Sequence, residues 1–142
     1  MDDSYRPIDE RLLEAFRQTT YRIFDPPVEI HIGQPNAELD ALLLRLSRQN
    51  WFFITAWNPG ARPLSEADNR RRQRTLLDGL RREDWTVLSG ESVADAGDWP
   101  PEPSYWVAGA GREAAIAWGR KFGQAAVVFG TLYGRPELLW LQ

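Results

Sequence analysis

The chain has 142 residues, 43% of them apolar and seven of them Trp, with a formal net charge of −3. That is enough apolar mass for one domain, residues 1–142, with a real core, and it is not the composition of a disordered chain. The acidic balance speaks against a protein that is basic overall and coats nucleic acid. The absence of Cys excludes disulfides, thiol catalysis and Cys-based zinc or iron–sulfur sites. His31 is the single histidine, which leaves no His cluster for a metal and no second imidazole for a proton relay. The start, MDDSYRPIDE, is acidic and polar, unlike a signal or transit peptide, and no stretch approaches membrane-spanning length. A soluble cytoplasmic protein that does not enter membranes is the expectation.

In chain order, Ile8 to Gln18 reads as an amphipathic helix, with Leu12, Leu13 and Phe16 at helical spacing. Thr20 to Phe24 and Val28 to Ile32 read as a strand hairpin joined by Asp25-Pro26-Pro27. Tyr21, Arg22 and His31 are candidates to line one surface of it, His31 as a solvated or satisfied residue. After the Gly33-Gln34-Pro35 break, Asn36 caps a helix from Ala37 to about Gln49 whose stripe is Leu39, Leu42, Leu43 and Leu46. Trp51 to Ala56 is a short apolar run rich in aromatic residues, hence a buried strand, and Asn58-Pro59-Gly60 ends it.

Ser65 is a natural N-cap for a helix running to about Arg82, with Glu66 and Asp68 in its first turn. At about 100° per residue, Leu76 and Leu80 share a stripe with Asn69, and Gln73 lies beside it. Arg72 flanks the stripe, whereas Arg70, Arg71 and Arg74 turn away. An Asn on an apolar face needs a buried partner, and the loop after the preceding strand is the candidate. Trp85 to Leu88 reads as a strand ended by Ser89-Gly90. Glu91 to Pro103, rich in Pro and Gly, reads as a loop. Tyr105 to Ala108 is a strand, and a short helix follows with Ala115, Trp118 and Phe122 on one side. Ala125 to Phe129 and Glu137 to Leu141 are the last strands.

From Trp51 to Gly130 the order is strand, helix, strand, strand, helix, strand. This predicts an α+β fold, a ferredoxin-like split βαβ sandwich over 51–130 with an antiparallel sheet and helices on one face. The N-terminal helix and hairpin and an extra C-terminal strand extend it. In that topology Asn58, Ser65, Asn69, Gly90, Glu102, Ser104 and Gln124 converge on one rim, with the 91–103 loop over it as a lid.

The stretches ITAWNP (54–59), LSEADNRRR (64–72), EPSYWV (102–107) and FGQAAVVFG (122–130) together resemble the bacterial domain-of-unknown-function 3293 family. That family's pattern is an ITAxNP strand end, S-x-x-x-N-x-x-R on a helix, a Glu before an apolar strand, and FGQ before another. Carried over by position, its polar hallmarks are Asn58, Ser65, Asn69, Arg72, Glu102 and Gln124. The resemblance implies a bacterial origin and supplies no activity.

Phosphate-loop and dinucleotide signatures are missing, and His31 lies far along the chain from Ser65 and Ser104. No cofactor is implied and no metal site is assigned, although Glu91, Asp95 and Asp98 remain an open group of oxygen donors. What remains is a small polar or anionic ligand, nucleotide-like or phosphate-bearing, held at the rim. Asn58, Ser65, Asn69, Arg72 and Gln124 are its binding residues. Helix-start N–H groups and Arg72 suit an anion, and the amides suit a base or carboxamide. Glu102 is the catalytic candidate, orienting Arg72 or acting as a general base; whether the protein is an enzyme stays open. Nucleic-acid or acidic-partner binding is an alternative, through the arginine-rich helix 65–82 with Arg70, Arg71, Arg74, Arg81 and Arg82 on its outer arc. Another is a protein-interaction module whose rim is a structural network: Asn58 pins the turn, Asn69 accepts its N–H and Glu102 neutralises Arg72. The oligomeric state is not readable.

Overall fold

The computed structural model describes residues 9–142; the acidic start, including Ile8 of the expected first helix, lies outside the described residues. The order is α1 (Glu10–Arg17), β1 (Thr19–Ile23), β2 (Val28–Ile30), α2 (Ala37–Leu46), β3 (Asn50–Ile54), α3 (Glu66–Arg81), β4 (Thr86–Ala94), β5 (Glu102–Ala108), α4 (Arg112–Lys121), β6 (Ala126–Thr131) and β7 (Glu137–Trp140). The strands form one seven-stranded sheet in the order β2-β1-β4-β5-β3-β6-β7, and every neighbouring pair is antiparallel. The architecture is therefore α+β. No helix among the described residues is long and apolar enough to cross a membrane.

Strand β3 explains why both sheet faces are covered. Its run Trp51-Phe52-Phe53-Ile54 is apolar at both parities, so neighbouring side chains need cover on opposite sides. Trp51 and Phe53 pack with Tyr21, Ile23, Trp106 and the Leu39, Leu42 and Leu43 stripe of α2. Phe52 and Ile54 pack on the other face with Leu76 and Leu80 of α3 and with Ala115 and Phe122 around α4. The predicted sandwich has its helices on one face. Those of the 51–130 segment do share a face, but α2 covers the opposite one.

Caps and breaks set the helix ends. Asn36 Oδ1 accepts the Leu39 N–H at 3.0 Å, and Ser65 Oγ accepts the Asp68 N–H at 3.1 Å. Helix α2 stops at Leu46, short of Gln49, because Ser47 turns into the left-handed region at φ 55°.

The largest departure from the expected elements is β4. It does not end at Ser89-Gly90 but runs to Ala94, pairing Gly90–Ala94 with β1 and Thr86–Ser92 with β5. Glu102 and Pro103 belong to β5, so the expected 91–103 loop shrinks to residues 95–101. Gly90 serves close approach rather than a turn: a Cβ there would stand 2.1 Å from the Arg22 carbonyl oxygen. The stretch escapes a periodicity reading because its residues on both faces of β4 are half-buried.

Tyr21, Arg22 and His31 do not share a surface, since successive strand residues point to opposite sides. Tyr21 is core, while Arg22 bridges Glu29 and Glu91 at 3.2 Å each. The His31 ring meets the Thr20 hydroxyl at 3.1 Å, and that hydroxyl donates to Asp95 at 2.7 Å. The two ends of the sheet also touch. Gly33 N–H, just past β2, donates to the Pro136 carbonyl at 2.8 Å, and Tyr133 N–H donates to the Asp40 carboxylate at 2.9 Å.

Candidate functional site

Residues 55–64 follow β3 with no regular structure beyond a short 3-10 turn at Pro59–Ala61, and their backbone groups need partners that no strand supplies. The buried stripe of α3 provides them. Asn69, 2% exposed, accepts the Asn58 N–H at 2.8 Å and donates to the Asn58 side-chain oxygen at 2.7 Å. That same oxygen accepts the Leu64 N–H at 3.0 Å, and Asn58 itself is held in the left-handed region at φ 45°. One helical turn on, Gln73 accepts the Ala56 N–H at 2.9 Å and donates to the Pro103 carbonyl at 3.0 Å. Arg72 Nε donates to the Ala56 carbonyl at 2.9 Å, and its terminal nitrogen donates to the Phe122 carbonyl. Gly60 N–H reaches the Gly123 carbonyl at 2.8 Å, which ties the segment to the α4–β6 connection.

On the other side of the same rim lies a cavity of about 490 Å³. Helix α1 bounds it with Leu12 and Phe16; the sheet contributes Tyr21, Phe53 and Leu138; Trp99 comes from the β4–β5 connection. No residue of α1 is buried, and its apolar side lies along the cavity rather than in a packed core. The helix is held by the Tyr21 hydroxyl donating to the Phe16 carbonyl at 2.8 Å and by an edge-on contact of Phe16 with Trp140 at 6.2 Å. Burial pushes the Tyr21 phenol far above its usual pKa, so it stays a neutral donor.

Of the residues expected at the rim, Asn58, Glu102 and Gln124 line this cavity, and Ser104 lines it beside them. Ser65, Asn69 and Arg72 do not: they sit on the α3 side, where Ser65 caps the helix and the other two hold backbone. The expected Arg72–Glu102 pair is absent for a geometric reason. Glu102 shares strand parity with Ser104 and Trp106 and points to the α2 side of the sheet, away from α3. The Glu102 carboxylate instead accepts a long bond from the Trp99 indole N–H at 3.4 Å. Gln124 is also loosely held, its amide donating to the Trp57 and Phe122 carbonyls at 3.4 Å each. The arginines Arg70 and Arg71 pair along α3 with Glu66 and Asp68.

The model of the family described as "Protein of unknown function (DUF3293)" matches residues 54–127, more than half of the chain. The chain belongs to that family. No curated protein and no solved structure matches it. The DUF3293 match takes in the Asn58–Asn69–Arg72 frame together with Glu102 and Gln124. It leaves out α1 and β1, and with them Leu12, Phe16 and Tyr21 of the cavity. Residue reasoning missed this second half of the lining. Its one sequence signal was the strong amphipathicity of α1, which reads the same whether the apolar side meets a core or a cavity.

Glu102 is the charged residue of the cavity: among the described residues its lining holds no Lys, Arg or His, and Glu102 joins no ion pair. Burial raises its carboxyl pKa above the usual Glu value, and the Trp99 bond opposes part of that rise. Folding therefore favours the protonated form. This contribution is fully present below the usual Glu pKa and is lost as pH rises through the raised one. Glu102→Gln should remove that slope, so that its denaturant midpoint gains on the parent between acidic and neutral pH. A constant difference across that range would show that Glu102 is not desolvated by folding.

Proposed function

We propose that this DUF3293 protein binds a small molecule in the rim cavity, with an apolar body against α1 and the sheet and a polar group at Glu102. The observation that carries the reading is a cavity of about 490 Å³ lined by aromatic and aliphatic side chains, with a carboxylate, three amides and several hydroxyls in its wall. Its size falls within the roughly 300–1,000 Å³ typical of ligand pockets, and few polar groups on an apolar wall is their usual make-up. Glu102 is the catalytic candidate, because it is the ionisable carboxylate in contact with that space. The α3 residues Asn69, Arg72 and Gln73 act as its frame, since they are engaged on backbone groups of the neighbouring segments and, at Asn69, on the Asn58 side chain as well.

This shifts the expected ligand chemistry. Arg72 places its Nε and one terminal nitrogen on two carbonyls and does not line the cavity, so an anion held there would meet no cationic side chain among the described residues. The frame itself is read as ferredoxin-like over 51–130. Support comes from the strand order β4-β5-β3-β6 with α3 and α4 on one face.

The test is a fragment screen followed by amide and indole NMR spectra of the labelled protein. Binding should move the Trp99 indole, which is 48% exposed, together with the amides of Tyr21, Phe53 and Glu102. Shifts confined to the outer arginines of α3, or a screen of several hundred fragments that moves none of these signals, would sink the reading.

A further inference from the structure

We infer that the occupant of the rim cavity is an alkylammonium compound, an amine or quaternary ammonium carrying an apolar chain or ring. The inference rests on the cavity being a ligand site and adds the charge and class of its ligand. Three observations converge on it. First, the charged side chain lining the cavity among the described residues is the Glu102 carboxylate, with no cation beside it and one long bond from Trp99. A desolvated carboxylate of this kind is left uncompensated by a neutral guest and is opposed by an anionic one; a cation matches it.

Second, the remaining wall is rich in rings: Phe16, Tyr21, Phe53 and Trp99 all line the same space. Aromatic faces attract ammonium groups through their quadrupoles, most strongly when water is excluded, and they do nothing comparable for a carboxylate or phosphate. Tyr21 keeps its phenol proton on the Phe16 carbonyl, so the ring enters the wall as a neutral surface and not as a second anion. Third, the aliphatic part of the lining, Leu12, Val128 and Leu138, comes from α1, β6 and β7 and offers cover for a hydrocarbon body rather than more polar partners. Carboxylate, rings and aliphatic surface together describe an amphipathic cation.

Four compounds with one hexyl body provide the test: hexyltrimethylammonium, hexylamine, hexanol and hexanoate, each titrated by calorimetry into the full chain at neutral pH. The two cations should bind at least about tenfold more tightly than hexanol, with hexanoate weakest. Glu102→Gln, nearly isosteric, should bring the cations to within about twofold of hexanol. In the parent protein, hexyltrimethylammonium keeps its charge at every pH. Its affinity should therefore fall as Glu102 is protonated in acid, an arm that needs no variant. Hexanol or hexanoate binding as tightly as the cations would overturn the ammonium assignment while leaving the cavity as a ligand site. A cation preference that survives Glu102→Gln, or that ignores pH, would overturn the role of the carboxylate. Binding of none of the four would overturn the ammonium assignment, and the fragment screen would then decide the cavity on its own.

Discussion

Asn69→Ala should lower the thermal midpoint by roughly 10 °C, the equivalent of about 3 kcal/mol in a chain of this length. The substitution removes both bonds of a reciprocal pair, at 2.8 and 2.7 Å, from a side chain only 2% exposed. It leaves the Asn58 N–H without its acceptor, and each buried polar group left unpaired costs about 1–3 kcal/mol. Asn69→Asp should not rescue it, because a carboxylate oxygen would replace the amide donor that faces the Asn58 oxygen. Gln124→Ala is the informative contrast. Its bonds are 3.4 Å long, so stability should change by less than about 1 kcal/mol. Differential scanning calorimetry of the pair separates framing from ligand contact. If Asn69→Ala melts with the parent, the loop after β3 is held by something other than this amide.

Gly90→Ala should cost about 3 kcal/mol or more, at the upper end of what overpacking does. The added carbon would lie 2.1 Å from the Arg22 carbonyl oxygen, and backbone cannot swing aside as a side-chain tip can. Relief requires β1 to draw away from β4, and β1 carries Tyr21 and Ile23 into the core on the α2 side. Loss should therefore show as weakened hydrogen-exchange protection across β1 and β2 as well as a lower denaturant midpoint. Gly111→Ala is the control. Its nearest neighbour would be the Asn50 side-chain nitrogen at 3.9 Å, and its φ of −83° suits any residue, so a change within about 1 kcal/mol is expected. Equal effects at the two positions would mean that the close approach at Gly90 is not what fixes glycine there.

Some of this molecule is written plainly in its residues. Ser65 and Asn36 cap where their hydroxyl and amide predict. Leu39, Leu42 and Leu43 of α2 and Leu76 and Leu80 of α3 are buried, with Leu46 half-buried, and Asn69 among the leucines announces a buried amide that must find backbone. The order of elements brings Asn58, Glu102 and Gln124 to one rim. Other features leave no such trace. Arg72 beside an apolar stripe looks like a ligand group, yet its partners are two carbonyls, and carbonyls are common to every residue. Glu102 and Arg72 look like an ion pair until strand parity puts them on opposite sides of the sheet. In β4, half-burial on both faces erases the alternation that marks a strand, and the Gly in its middle imitates a stop.

The contacts beside the two ends of the sheet join parts of the chain that are made far apart in time. Tyr133 lies 93 residues from the Asp40 it bonds, and Arg135 lies 102 residues from the Gly33 carbonyl it reaches. A growing chain releases β1 and β2 long before β4 gives β1 its other neighbour, and longer still before the β6–β7 turn arrives to clasp the far edge. Contacts of such long range are slow to form and leave strand edges open meanwhile. The hairpin of β1 and β2 is thus made early and secured late, once the β6–β7 turn has reached it.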